Sequence, residues 1–239
     1  MNFTSVVLAT SNGSAAAFSL DRIVELAPEI WVAMAQTFAM LLVSIPIAIL
    51  LGTPLGIWLY SMSPNGLRPR PRVHKIVDGL VNTIRSFPFL ILLIAIIPFT
   101  RFVVGTTIGT AAVIVPLTIN AIPYFARFVE QNISQLGNGV VEAAQAMGAT
   151  RGQIIREVLL VEAKPALLSS ITIMTVSFIS YSAMAGLVGG GGIGDFAIRY
   201  GYYRYETPLM ITAIILMILL VTLVQFGGSR LARRLDKRL

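Results

Sequence analysis

No charged residue occurs between Glu29 and Arg68. The apolar stretch inside that interval, Trp31 to Tyr60, is longer than the ~20 residues that cross a ~30 Å hydrocarbon layer at ~1.5 Å per residue. In water such a helix would leave more apolar surface than a domain of this size can hide. The chain is therefore read as an integral membrane protein. Pro46, Gly52, Pro54 and Gly56 predict a kinked or tilted helix, which membranes tolerate where neighbours satisfy the freed backbone groups.

Three further uncharged runs are long enough to cross: Phe102 to Ala126, Pro165 to Gly194, and Thr207 to Ser229. A fifth, Ser86 to Thr100, is short. It reaches crossing length if it starts near Ile76 and includes Arg85, snorkelling towards the headgroups. Charged residues make up 12% of the 239, about half the share in a soluble domain. The expected fold class is an all-α integral membrane protein with five transmembrane helices.

Five crossings place the termini on opposite sides. Residues 61–85, 127–164 and 230–239 hold fourteen of the eighteen Lys and Arg, and the opposite set holds only Arg22, Arg101, Arg199 and Arg204. The positive-inside rule then puts the N-terminus outside and the C-terminus in the cytoplasm. The net charge of +7 belongs to this topology and not to nucleic-acid binding. Residues 1–20 lack Lys and Arg and a continuous apolar core, so they read as a short mobile tail and not as a signal peptide. The expected divisions are 1–30 as an extracytoplasmic tail and approach, 31–230 as the membrane domain, and 231–239 as a basic cytoplasmic tail.

The sequence contains no Cys and only one His, His74. Disulfides, thiolate chemistry and a His-based metal cluster are excluded. His74 lies among Arg70, Arg72 and Lys75 and reads as solvated or headgroup-facing. Gly189-Gly190-Gly191-Gly192-Ile193-Gly194 matches G-x-G-x-x-G by letter, but a dinucleotide site needs a preceding strand. Here the glycines end an apolar segment, where they allow close packing or a bend. No G-x-x-x-x-G-K-[ST] motif occurs, so any ATP hydrolysis requires a separate subunit.

The longest connection on the basic side, Arg127 to Lys164, is not a flexible linker. Glu142-Ala143-Ala144-Gln145-Ala146-Met147 consists of good helix formers. Gly148 can end that helix in the left-handed conformation. Thr150 with Gln153 matches a capping box for a second short helix, with Ile154, Ile155, Val158 and Leu159 on one face. The loop reads either as a protruding helix–turn–helix knob or as an interfacial helix pair. Glu142 either favours its own helix N-terminus or pairs with a basic partner residue.

Glu142-Ala143-Ala144, with Gly148 six residues after the Glu and Leu160 further on, resembles the EAA motif of ABC importer permeases. Val158 and Val161 depart from it, which puts in doubt where the second helix ends. Arg85-Ser86-Phe87-Pro88-Phe89, Ile97-Pro98-Phe99-Thr100-Arg101, Ala144 to Thr150, Tyr181-Ser182-Ala183-Met184 and Tyr200-Gly201-Tyr202 are similar to methionine-importer permeases. The resemblance covers roughly residues 31–230.

The resemblance implies the type I ABC importer permease fold in a bacterial cytoplasmic (inner) membrane. It implies a homodimer, two cytoplasmic ATP-binding subunits that hold ATP and Mg, and an extracytoplasmic methionine-binding protein. It implies no cofactor and no catalytic residue in this chain. The coupling loop, about 139–161, carries Glu142, Ala143, Ala144, Met147, Gly148, Ala149, Ile154, Val158 and Leu160 as its ATPase-coupling residues. Ser180, Tyr181, Ser182 and Met184 are expected on the translocation pathway. Met184 either gates that path near the dimer axis or packs against lipid or core. Asp195, Arg199, Tyr202, Tyr203, Arg204 and Glu206 form a polar outer loop, either a receiving surface for a delivery protein or an aromatic belt. Three alternatives stay open: a permease for another amino acid or small nutrient, an ion-coupled secondary transporter, or a membrane scaffold. The second would want ionisable residues mid-membrane, and the four long uncharged runs hold none.

Overall fold

In a bilayer, apolar surface between helices gains nothing over lipid, so association depends on how closely the helices approach. The pair with the most extensive contact among the described residues is α2, Ala27–Met62, and α6, Thr110–Ser134. Gly52 and Gly56 form a small-xxx-small stripe on α2. A Cβ at Gly52 would stand 2.8 Å from the Ile122 carbonyl, and one at Gly56 would collide with Ala126 and Val129. The glycines thus serve contact. α2 runs as a single helix of 36 residues through Pro46 and Pro54, the stretch expected to be kinked or tilted.

The structure, a computed structural model, describes residues 20–235. Residues 1–19 of the expected tail, and Lys237 and Arg238 of the basic C-terminal tail, lie outside them. Every regular element among the described residues is helical. α1 is Leu20–Glu25, α3 Pro71–Ser86, α4 Phe89–Ala95, α5 Ile97–Val104 and α7 Asn138–Ala146. α8 spans Arg151–Val188, α9 is Gly192–Phe196 and α10 Thr207–Leu235. The last helix therefore continues past Arg230.

α2, α6, α8 and α10 are long and apolar enough to cross a membrane. The fifth candidate is broken: α3 and α4 meet at a bend of 100°. Phe87-Pro88 explains it, since proline pushes its predecessor out of the helical region, and Phe87 is extended at φ −70°, ψ 127°. Arg85, the residue expected to snorkel, turns inward instead. Its guanidinium lies 5.2 Å from the centre of the Tyr124 ring. Tyr124, Phe178, Tyr181 and Phe89 continue from there as a chain of ring contacts, Phe89 stacking on Tyr181 at 5.0 Å.

Candidate functional site

At one end of the bundle α7 projects as a short helix ended by a Schellman motif. The Ala149 amide donates to the Ala144 carbonyl at 3.1 Å, and the Gly148 amide donates to the Gln145 carbonyl at 2.9 Å. Gly148 takes φ +80°, a conformation that a Cβ penalises. Two residues on, Thr150 and Gln153 form the reciprocal capping box. The turn between the helices is therefore rigid.

The second helix is not short. From Thr150 the chain passes through Arg151–Gln153 and a π-helical stretch, Ile154–Leu159, into Leu160–Met184, all within α8. No breaker follows Leu159 until Pro165, and that proline is accommodated inside the helix. The absence of proline at Val161 is the physical reason. The second half of the expected coupling loop, from Arg151 on, and a helix long enough to cross the membrane are one continuous rod.

The expected coupling residues divide by burial. Glu142, Ala143, Met147 and Gly148 are exposed, with Met147 at 81%. Ala144 and Ile154 are buried in the core that also holds Val141, Leu159 and Ala163. Ala149, Val158 and Leu160 pack half-buried against that core. The outer face thus combines small residues and one long, adaptable side chain with the Glu142 carboxylate, and the inner face locks α7 to α8.

The pathway residues divide likewise. Ser180 and Met184 are exposed, and Ile173 lies on the same helical face. Tyr181 is half-buried in the ring chain, and buried Ser182 donates to the Ile179 carbonyl at 2.7 Å.

At the opposite end the glycine run crosses α2. The Gly192 amide donates to Gln36 Oε1 at 2.8 Å and the Ile193 amide to Thr37 Oγ1 at 3.0 Å. Gln36 and Thr37 went unnoticed in the sequence, because nothing local marks a side chain that caps a helix 156 residues away. Beside them lies a cleft of about 390 Å³ bordered by Glu29, Gln36, Asp195 and Arg199.

The outer-loop residues gather here in ion pairs. Arg22 Nε bonds Glu206 at 2.9 Å, and Arg199 Nε bonds Asp195 at 2.7 Å. The Tyr200 hydroxyl donates to Glu29, with the Arg204 guanidinium 4.6 Å from the ring centre. The bond from Arg22 holds the Glu206 carboxyl below its ordinary range. The bond to Glu29 raises the Tyr200 hydroxyl, with burial adding to it. Tyr202, Tyr203 and Tyr205 stay exposed.

The described chain is thus a helical bundle with four helices long and apolar enough to cross a membrane and a capped helical knob at one end. The family model for the inner membrane component of binding-protein-dependent transport systems matches residues 52–239, and the chain belongs to that family. The chain is 49% identical over 203 residues to the probable D-methionine transport system permease protein MetI of Vibrio cholerae serotype O1, covering 85% of this chain and 90% of that one. It is 42% identical over 203 residues to the D-methionine transport system permease protein MetI of Escherichia coli K12, covering 85% and 94%. An inward-facing structure of the MetNI methionine ABC transporter superposes with a TM-score of 0.85 at 42% identity, covering 92% of this chain and 100% of that chain.

Proposed function

We propose that this chain is the permease subunit of an ATP-driven importer that carries methionine across the inner membrane by alternating access. The observation that carries the reading is the knob: α7 presents Ala143 and Met147 outward and is fixed to a helix that crosses the membrane. The relatives, named for methionine transport over nearly their whole lengths, support the substrate. A homodimer docks two ATPase subunits, each receiving one knob, and these hold the ATP and Mg. A methionine-binding protein delivers substrate at the opposite end. The N-terminus lies outside and the C-terminus in the cytoplasm, as the Lys and Arg distribution requires.

The mechanism follows from the rod. When the ATPase dimer closes, it moves the face around Glu142, Ala143, Met147 and Gly148. Ala144, Ile154, Val158 and Leu160 pass that movement to α8 without an intervening hinge, and Ala149 closes the turn. The same helix carries Ser180 and Met184 on an exposed stripe, which lines the pathway, while Tyr181 and Ser182 hold the helix from behind. The test is uptake of radiolabelled methionine in cells lacking this gene and in cells with it restored. Loss and recovery support the reading. Unchanged uptake in cells without a second methionine system overturns the substrate.

A further inference from the structure

α3 is a helix of three faces. Val77 and Val81 turn inward, packed with Leu59 and Ala126. Val73, Ile76 and Leu80, spaced by three and four residues, form a second strip left bare among the described residues, with Ile76 at 66% and Leu80 at 61% exposed. The third face is polar.

Asp78 pairs with Arg127 and Arg85 lies over Tyr124, which ties α3 to α6. At its end α3 turns by 100° into α4. A helix with a polar face, a bare apolar strip and cations at its start has the composition of an interfacial helix.

Four cations lie at its start: Arg68, Arg70, Arg72 and Lys75. All are exposed, and none has a carboxylate partner among the described residues. No acidic residue occupies the first turn, so these exposed charges oppose the helix dipole and favour an anion beside them. The apolar strip and the cations fit one occupant, an anionic phospholipid with its acyl chain along Ile76 and Leu80 and its phosphate among the cations.

We propose that α3 is a binding surface for anionic phospholipid of the leaflet that borders the knob. The Asp78–Arg127 pair joins that surface directly to α6. This holds whichever solute is carried.

The chain has no Cys, so Ile76→Cys gives one site for a fluorescent label in each copy of this chain, within a full transporter complex whose ATPase subunits have had their reactive Cys replaced. The labelled complex is reconstituted in phosphatidylcholine vesicles containing some phosphatidylglycerol, with either lipid brominated in its acyl chains. Stronger quenching by brominated phosphatidylglycerol than by brominated phosphatidylcholine supports the proposal. Each cation within reach is worth about fivefold in local enrichment. Replacing Arg68, Arg70, Arg72 and Lys75 with Gln is expected to equalise the two lipids. Replacing Arg230, Arg233 and Arg234 with Gln is expected to leave the preference standing. Equal quenching in the unsubstituted cluster overturns the proposal. So does no quenching by either lipid, which means a second copy or another protein covers the strip. The comparison of the two lipids decides the matter even if the fourfold variant does not fold.

Discussion

Arg127 Nη1 reaches Asp78 Oδ1 at 2.8 Å and simultaneously bonds Glu130, which is buried at 7%. One guanidinium therefore holds two carboxylates and ties α3 to α6. Removing the cation leaves both acids without it, and Glu130 buried. Arg127→Met is expected to destabilise the protein by about 2–4 kcal/mol, because stranding a buried charge costs more than losing a pair. Asp78→Asn keeps the Glu130 bond and is expected to cost about 1 kcal/mol. Thermal unfolding in detergent separates the two. Equal losses would mean that Glu130 does not depend on Arg127.

Gly148 has open space where a Cβ would stand, yet its φ is +80°. A substitution there costs strain alone, without a clash. Gly148→Ala is expected to lose about 1–2 kcal/mol, and Gly148→Asn less, since Asn tolerates this region. Methionine uptake is expected to fall in the same order, because the turn orients α7. Identical uptake for Ala and Gly at this position would separate the turn's geometry from coupling.

The cap residues of the knob were legible because Gly148, Thr150 and Gln153 act locally, within a few residues of one another. The long uncharged runs were legible for the same reason. What the sequence did not reveal depends on distant partners. Gly52 and Gly56, with Pro46 and Pro54, predict a kinked or tilted helix, but their close contact with Ile122 and Ala126 depends on a helix some seventy residues away along the chain. Arg85 read as a snorkelling cation, but only the fold brings Tyr124 beneath it. The inward turn of Ala144 beside the outward Ala143 depends on which side of α7 meets α8, which neighbouring letters of the same type do not state.

Two glycines on neighbouring elements give opposite expectations. Gly56 has no room for a methyl group, whereas nothing stands within 4 Å of a Cβ at Gly79. Gly56→Ala forces α2 and α6 apart and is expected to lower the yield of folded protein sharply. Gly79→Ala lies inside α3 and is expected to gain up to about 1 kcal/mol by removing backbone freedom. Size-exclusion profiles and melting temperatures of both variants check the contrast. Normal folding of Gly56→Leu would refute the close α2–α6 contact.

The outer ion pairs predict stability losses at both ends of the pH scale. Glu206 binds its proton more weakly in the folded state, so its contribution is present above its ordinary value of 4.5 and is lost as pH falls through the lower folded value. Tyr200 holds its proton more tightly, so its contribution is present below its ordinary value of 10.0 and is lost as pH rises through the higher folded value. Glu206→Gln is expected to flatten the acid limb of the melting curve, and Tyr200→Phe the alkaline limb. Exchange of those two effects between the variants would contradict the pairing.

Ala143 and Ala144 offer the sharpest test of the knob, since they are adjacent and chemically identical. Ala143 is exposed, and Ala144 is 3% exposed inside the core that joins α7 to α8. A Trp at Ala144 has no space and overpacks that core, with an expected cost of about 1–3 kcal/mol or more. A Trp at Ala143 leaves the fold untouched, within about 0.5 kcal/mol, as surface substitutions do. It nevertheless stands where the ATPase subunit would close on α7. Ala143→Trp is therefore expected to melt normally but to release the ATPase on affinity purification and to lose uptake. Met147→Asp, on the same face, is expected to behave alike. Retention of the ATPase by a folded Ala143→Trp protein would move the docking surface away from this face of α7.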